Sequence, residues 1–328
     1  MANGKITSTD VAKVLGVSQS MVSRAFNPNA SVAEDKRKKI IEGARKLGYT
    51  PNALARSLTS NRSGLVAIVA SSEQNPIYDE ITRQLTLAIQ MKGSQSVLCL
   101  VSEHNFEGAI SKAIEYQVDG MVIACSGISS ALLQRCINLG IRISFINQYH
   151  QGVAAQSYCS DNEQIGRDVG NYLIDRGYQK IAYLAGDKGS MVNEERWAGL
   201  RSSLFDRNAE PPLYLSGSFS FQSGIEAAEL LPTKPQEIDA VFCASDIIAI
   251  GLIEGLKKTP DYRHIAIIGV DNIPMASWPS FELTTVEQPL TLLVHDCINT
   301  LFDQIHFNRY CDGQYHYYRA KIIERRTT

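Results

Sequence analysis

The sequence predicts an all-helical N-terminal module of three short helices, a hinge helix, and then a larger α/β body of two similar parallel-sheet subdomains. Three observations carry this expectation. Apolar residues before position 50 recur at helical spacing around Gly16. Charge divides sharply along the chain: residues 1–62 hold eleven Lys/Arg against four Asp/Glu, a net of +7, whereas the remainder holds 21 against 30, a net of −9. From residue 65, short apolar runs alternate with amphipathic stretches, the pattern of parallel strands covered by helices.

The first two helices lie in Val11–Arg24. Val11, Ala12 and Leu15 give one apolar face, with Thr7 and Asp10 placed as an N-cap pair. Gly16 permits the turn. Ser18 then caps a second helix with Met21, Val22 and Ala25 inward and Gln19, Ser20, Ser23 and Arg24 outward. Those four side chains are of the types that reach base edges or phosphates when a helix N-terminus enters the major groove. Two helices alone more often make a small polar-faced hairpin, and the basic charge of the module is what favours DNA. Asn27-Pro28-Asn29-Ala30 is turn chemistry, and residues 33–47 form a third helix with Ile40, Ile41, Ala44 and Leu47 inward, ended by Gly48. The run Lys36-Arg37-Lys38-Lys39 within it reads as phosphate contact, which makes binding salt dependent.

Pro51–Leu58 is a further short helical pattern, with Leu54 and Leu58 on one face, before the polar linker 59–64. A helix of this length is marginal alone and needs a partner to fold. The expected divisions are therefore a headpiece at 1–49, a hinge at 50–63 and a core at 64–328.

In the core, strands are expected at 65–70, 96–101, 121–124, 141–146, 181–185, 240–244 and 265–270. Helices are expected at 79–92, 129–139, 163–176, 193–207, 222–231, 246–258 and 290–306. Ligands of parallel α/β sheets sit beyond the carboxyl ends of strands. The polar residues there are Ser71-Ser72, Asn147-Gln148, Gly186-Asp187, Ser245-Asp246 and Asp271-Asn272, with Arg196 and Phe219 on the elements that follow. An Asp after an apolar strand is costly to bury unpaired, which singles out Asp271. Tyr78 and Phe219 are equally readable as core aromatics, and Arg196 as the partner of Glu194 or Glu195.

Bulk properties exclude several classes. No apolar run approaches eighteen residues and no signal-peptide core follows Met1, so a cytoplasmic protein without membrane contact is expected. Seven scattered cysteines read as core residues, and the dispersed histidines form no metal-ligand pattern. No phosphate-cradling, nucleophile-elbow or HExxH motif is present, so neither an enzyme, a cofactor nor a metal is expected.

Asp10-Val11-Ala12, Gly16-Val17-Ser18, Val22-Ser23-Arg24, Gly48-Tyr49, Pro51-Asn52 and Ala55-Arg56-Ser57-Leu58 together resemble the headpiece and hinge of the lactose-repressor (LacI/GalR) family of bacterial transcription regulators. The resemblance continues through Asn75-Pro76, Asp119-Gly120, Arg196-Trp197-Ala198-Gly199, Gly269–Pro274 and Thr284–Pro289. It implies a core like the periplasmic sugar-binding proteins, with the chain crossing between subdomains near 158–161, 286–291 and 317–320. The N-subdomain would hold about 64–159 and 290–317, and the C-subdomain about 160–289 and 318–328, with Tyr317–Glu324 in the latter.

By this resemblance Gln19, Ser20 and Arg24 would read bases, and Ser18, Ser23, Asn27 and Lys36 would lie near phosphates. Asn52, Ala55 and Arg56 would lie in or beside the minor groove, with Leu58 as the inserted wedge. Tyr78, Asn147, Arg196, Phe219, Ser245 and Asp271 match effector-contacting positions. The implied function is a repressor that binds a pseudo-palindromic operator as a homodimer under control of a small-molecule effector, a sugar or related metabolite. The family's tetramers carry a C-terminal leucine-heptad tail, which is not seen before Arg325-Arg326-Thr327-Thr328. Some positions depart from the family. Ser8 stands where an apolar residue is usual, and Ala33 with Lys36 replaces Ser and Thr at the start of the third helix. In the cleft, Ser245 replaces Asn, Val192 replaces Ser or Thr, and Asn147-Gln148 stands where Asp is frequent.

Overall fold

The computed structural model describes residues 6–27, 30–50, 62–71, 75–101, 105–125, 127–150, 152–231, 237–258, 265–309 and 313–328. It divides into two compact units, Met1–Ser63 and Gly64–Thr328. The expected hinge helix, with Asn52, Ala55, Arg56 and Leu58, lies outside the described residues.

In the first unit, α1 spans Ser8–Leu15, α2 Gln19–Ala25 and α3 Glu34–Lys46. The Thr7–Asp10 pair forms a reciprocal capping box: the Thr7 amide donates to Asp10 Oδ2 at 2.9 Å, and the Asp10 amide to Thr7 Oγ1 at 3.3 Å. Those bonds hold the Asp10 carboxyl below its ordinary range. Gly16 ends α1 in the left-handed region, φ 64°, which only glycine enters without strain. The Ser18 hydroxyl then accepts from the Met21 amide at 3.2 Å to start α2. By contrast Ala33 caps α3 with no side-chain bond, the direct result of having no hydroxyl there. Val11, Ala12, Val22, Ala25, Ile40 and Ala44 make the core, edged by Leu15, Met21, Phe26, Leu47 and Tyr49.

The basic run at 36–39 does not act as one surface. Arg37 turns back and donates to the carbonyls of Ala25 at 2.8 Å, Asn27 at 2.7 Å and Ala30 at 2.6 Å. Those carbonyls lie where α2 ends and the turn begins, and the planar guanidinium fork of Arg37 reaches all three at once. Lys36 stays exposed, and Lys38 pairs with Glu34 at 3.3 Å.

The second unit holds two six-stranded sheets. The first contains β1 (Leu65–Ser71), β2 (Gln95–Val101), β3 (Gly120–Ala124), β4 (Arg142–Ile146), β5 (Gln156–Ser160) and β11 (Tyr315–Tyr318), in the order β11-β5-β4-β3-β1-β2. The second contains β6 (Ile181–Leu184), β7 (Leu213–Leu215), β8 (Ala240–Cys243), β9 (Ala266–Val270), β10 (Thr284–Glu287) and β12 (Lys321–Ile323), in the order β12-β10-β9-β8-β6-β7. The two orders are the same once the strands are renumbered, so the halves repeat one doubly wound plan. All pairings are parallel except β10 with β12. The run Tyr317–Glu324, expected to lie wholly in the second subdomain, is instead cut at Arg319-Ala320. Tyr317 and Tyr318 pair with Cys159 and Ser160 in the first sheet, and only β12 joins the second.

Helices α4 (Ile77–Met91), α5 (Phe106–Glu115), α6 (Ser130–Asn138) and α11 (Leu290–Phe307) cover the first sheet. On one face Ile81, Leu85 and Ile89 of α4 meet Leu293, Ile298 and Phe302 of α11 over Val66 and Ile68. The second sheet is covered by α7 (Asn162–Asp175), α8 (Met191–Asp206), α9 (Phe221–Leu230) and α10 (Asp246–Leu256). Helix α5 and the strands β5, β7, β10, β11 and β12 were not among the expected elements. β5 reads Gln-Ser-Tyr-Cys-Ser, buried throughout yet polar in three positions of five, so hydropathy does not mark it. Helices α7 and α8 touch backbone to backbone. A Cβ on Gly199 would lie 1.9 Å from the Glu163 carbonyl oxygen, and one on Gly166 would lie 2.1 Å from that of Arg196.

Candidate functional site

In the first unit, α2 presents its polar face to solvent. Ser18, Gln19, Ser20, Ser23, Arg24, Asn27 and Lys36 are all exposed, while Val22 and Ala25 on the opposite side are buried. Gln19 is steadied by a 3.2 Å bond from its Nε2 to Ser8 Oγ, so the polar residue at position 8 has a local use on this surface. Ser18 and Ser20 share a hydrogen bond of 3.0 Å. The face is therefore a row of donors and acceptors at the N-terminal end of a helix, flanked by Arg24 and Lys36. That is what reading base edges in a groove and holding phosphates requires.

In the second unit a cleft of about 160 Å³ lies between the two sheets' ends, lined by Tyr78, Asn147, His150, Met191 and Val192 among others. The chain enters it after β4 with Asn147 in the left-handed region, φ 57°. The Asn147 amide donates to the Tyr158 carbonyl at 2.8 Å, whereas its Oδ1 is buried with no partner. Gln148 is held back by donating from Nε2 to the Cys125 carbonyl. His150 stacks on Phe145 with centroids 6.2 Å apart.

Behind the cleft, Arg196 of α8 is 2% exposed. It makes no ion pair with Glu194 or Glu195. Its Nε donates to Asn162 Oδ1 at 2.9 Å and its Nη1 to the Ala244 carbonyl. Asp271 follows β9 at φ 124°, a region that residues with a Cβ rarely occupy. Its Oδ1 accepts from Gln288 Nε2 at 2.6 Å and its Oδ2 from Asn75 Nδ2 at 3.4 Å. Gln288 in turn accepts from Ser160 Oγ at 2.8 Å. Ser160, Asn162 and Gln288 sit where the chain passes between the sheets, so both Arg196 and Asp271 are held by residues of the connections themselves.

A second carboxylate backs the first. Asp246 accepts from the Ile273 amide at 2.9 Å and from Thr285 Oγ1 at 2.5 Å. Burial raises both carboxyls. The charge of Asp271 raises Asp246 further, while Arg196, Gln288 and Asn75 restrain the shift at Asp271.

The six effector candidates thus separate. Tyr78 and Asn147 line the cleft, and Arg196 and Asp271 are close enough to influence each other's charge. Ser245 is fully buried with its Oγ unpartnered. Phe219 does not line the cleft. It packs over Gly186 within the second subdomain's core, where a Cβ would meet its ring at 2.3 Å. Asp246 stands among the polar strand-end residues expected from the sequence, whereas Asn75, Asn162 and Gln288 are not among the candidates. Asn75 and Gln288 lie in motifs already noted; Asn162 carries no signal of its own.

Among the described residues no helix is long and apolar enough to cross a membrane, and no cluster of His, Cys, Asp and Glu could hold a metal. Comparison with known proteins gives two family matches. Residues 7–52 match the bacterial regulatory proteins of the lacI family, and residues 63–288 match the periplasmic binding proteins and sugar binding domain of LacI family. The HTH-type transcriptional repressor PurR of Photobacterium profundum is 29% identical over 317 residues, covering 91% of this chain and 92% of its own. The ribose operon repressor of Escherichia coli K12 is 28% identical over 309 residues, covering 91% and 93%. The solved lac repressor dimer bound to operator and the anti-inducer ONPF shares the fold at a TM-score of 0.84 and 22% identity, covering 99% of each chain. Since the sugar-binding-domain model alone spans more than half of the sequence, and the helix-turn-helix model spans the module before it, the chain belongs to the LacI family of bacterial regulatory proteins.

Proposed function

We propose that the chain is a ligand-controlled transcription repressor of the bacterial cytoplasm that binds a pseudo-palindromic operator as a homodimer and is not an enzyme. The observation that carries this reading is the exposed polar face of α2 on a basic module, joined to a core with a polar cleft between two subdomains. The lac repressor named above is a dimer on its operator, and the PurR and ribose operon proteins are repressors by name.

Gln19, Ser20 and Arg24 read bases, with Ser18, Ser23, Asn27 and Lys36 near phosphates and the hinge residues Asn52, Ala55, Arg56 and Leu58 in the minor groove. The headpiece is 1–49, the hinge 50–63 and the core 64–328. In the core a sugar or related metabolite engages Tyr78, Asn147, Ser245, Arg196 and Asp271. Phe219 acts indirectly, as support for the loop around Gly186.

Coupling follows from where Arg196 and Asp271 are anchored. A ligand that draws on either competes with Asn162 or with Gln288 and Asn75, and so biases the angle between subdomains. The response is the difference in ligand affinity between the two arrangements.

The test is selection of genomic fragments by the purified full chain at moderate salt, with and without a pool of small metabolites. Enrichment of a two-fold symmetric sequence supports the reading. Failure to enrich any site under both conditions overturns it.

A further inference from the structure

One side chain on the exposed face of α2 is tied to another helix. Gln19, the first residue of α2, donates from Nε2 to Ser8 Oγ at 3.2 Å, and Ser8 is the first residue of α1. That acceptor is firmly placed. Ser8 follows Thr7, whose amide and hydroxyl donate to Asp10 Oδ2 at 2.9 and 2.7 Å, and the two helices share the core of Val11, Ala12, Val22 and Ala25. The amide therefore turns to meet Ser8. Ser20, beside Gln19, is engaged within its own helix start instead, through the 3.0 Å bond between its hydroxyl and that of Ser18.

Tying an amide has a consequence for recognition. The last torsion of a glutamine is roughly two-fold, so an untied amide can turn either its oxygen or its nitrogen toward a partner. The structure puts the nitrogen on Ser8. Of the two hydrogens that nitrogen carries, one goes to Ser8, which leaves Gln19 with one donor and one acceptor side by side. Adenine shows the complement in the major groove, an N6 donor beside the N7 acceptor. Guanine shows two acceptors there, N7 and O6, so the Gln19 oxygen would face one of them unfavourably. Thymine and cytosine each match only one half of the pair.

We propose that Ser8 is a positioning residue for operator specificity, which holds the Gln19 nitrogen and so sets that side chain to read adenine in each half-site. The inference rests on the DNA-binding reading given above, and adds to it one base and the residue that selects it. A side chain at position 8 without an acceptor would leave the Gln19 amide free to turn. The preference would then fall while Gln19 kept its contact.

The test is selection of binding sites from a randomised DNA pool by the full-length chain, with and without the pool of small metabolites, for the wild type and three variants. Gln19→Ala identifies the symmetric pair of positions that Gln19 reads, as the pair whose preference disappears. Adenine is expected there in the wild type. Ser8→Ala should lower the adenine-to-guanine ratio at that pair by about threefold or more, the scale of one exposed hydrogen bond, and leave the other positions as they are. Ser8→Thr, which retains a hydroxyl, should keep the wild-type ratio. Another base at the Gln19 pair overturns the proposal, and guanine in particular would mean that the amide is held the other way round. So does an absent Gln19 pair, an unchanged ratio in Ser8→Ala, the same loss in Ser8→Thr, or an equal loss at every position, which would make Ser8 a residue of the fold alone. In each of these outcomes an operator is still found and the DNA-binding reading stands. Enrichment of no site by the wild type overturns that reading and this inference together.

Discussion

Gly199→Ala adds a single methyl group, and the structure lets its effect be worked out. The new Cβ would lie 1.9 Å from the Glu163 carbonyl oxygen and 3.0 Å from the Arg167 amide, both backbone atoms of α7. An ordinary contact needs 3.4 Å, so α8 must retreat by about 1.5 Å. No rotamer change can absorb this, because neither partner is a side chain. Overpacking costs about 1–3 kcal/mol. The retreat also stretches the 2.9 Å bond from Arg196 to Asn162, and losing a buried bond of this kind costs about 1–3 kcal/mol more. Alanine's better helix propensity returns about 1 kcal/mol. The net expectation is a loss of about 1–5 kcal/mol, centred near 3, or roughly 5–12 °C at that centre in the melting of a domain this size. Trp197, adjacent on α8, reports the transition by fluorescence. Gly43→Ala in α3 is the control. There the Cβ meets the Leu15 Cδ2 atom at 2.5 Å, the far end of a flexible side chain of α1 within the same unit. A Leu shifted from its rotamer costs about 0.5–1.5 kcal/mol, which the helix propensity gain of about 1 kcal/mol offsets. Near-wild-type melting of Gly199→Ala, or an equal loss in both variants, would refute the argument that backbone contact between α7 and α8 sets the cost.

Two other perturbations address the two functional surfaces. Arg24→Ala removes an exposed side chain without touching the buried Val22 and Ala25, so specific DNA affinity should fall by roughly tenfold or more with the core's melting unchanged; parallel loss of both would point to misfolding. Asp246→Asn tests the buried carboxylate pair. Because both pKa values are raised in the folded chain, their contribution to stability is full below the unfolded value of about 3.9. It is lost as the pH rises through the raised values, which for Asp246 reach about 7. The variant should therefore stabilise the core at pH 8 and change little at pH 4, as followed by thermal melts. An equal shift at both pH values would contradict the assigned cause.

Periodicity and capping chemistry made the first unit legible, since Thr7, Asp10, Gly16 and Ser18 act within a few residues of themselves. The central parallel strands were equally plain because both of their faces are covered and their sequences are apolar. What could not be read were elements whose status depends on distant partners. β5 is polar by composition and becomes a strand only between β4 and β11. Arg37 looked like its lysine neighbours and differs because three carbonyls happen to fall within its reach. The cleft shows the same division. Asp271 stood out from its place after an apolar strand, whereas Asn162, which fixes Arg196, carried no signal until the connection and α8 were brought together. Phe219 had the chemistry of a ligand contact, but the space left by Gly186 determines where its ring goes.

The seating of β11 and α11 in the first sheet also sets an order of events during synthesis. His316 meets Gln156 across 160 residues of chain, and Val66 and Ile68 are covered in part by Leu293, Ile298 and Phe302. A ribosome must therefore make the second subdomain as far as β10 before the first can close its hydrophobic face. Long-range pairing of this kind is slow and leaves apolar surface open meanwhile. The three-helix module, whose contacts are all local, needs no such wait. A nascent chain would pass through a stage in which the three helices of the first unit are already formed while the subdomain that follows them still has its apolar face uncovered.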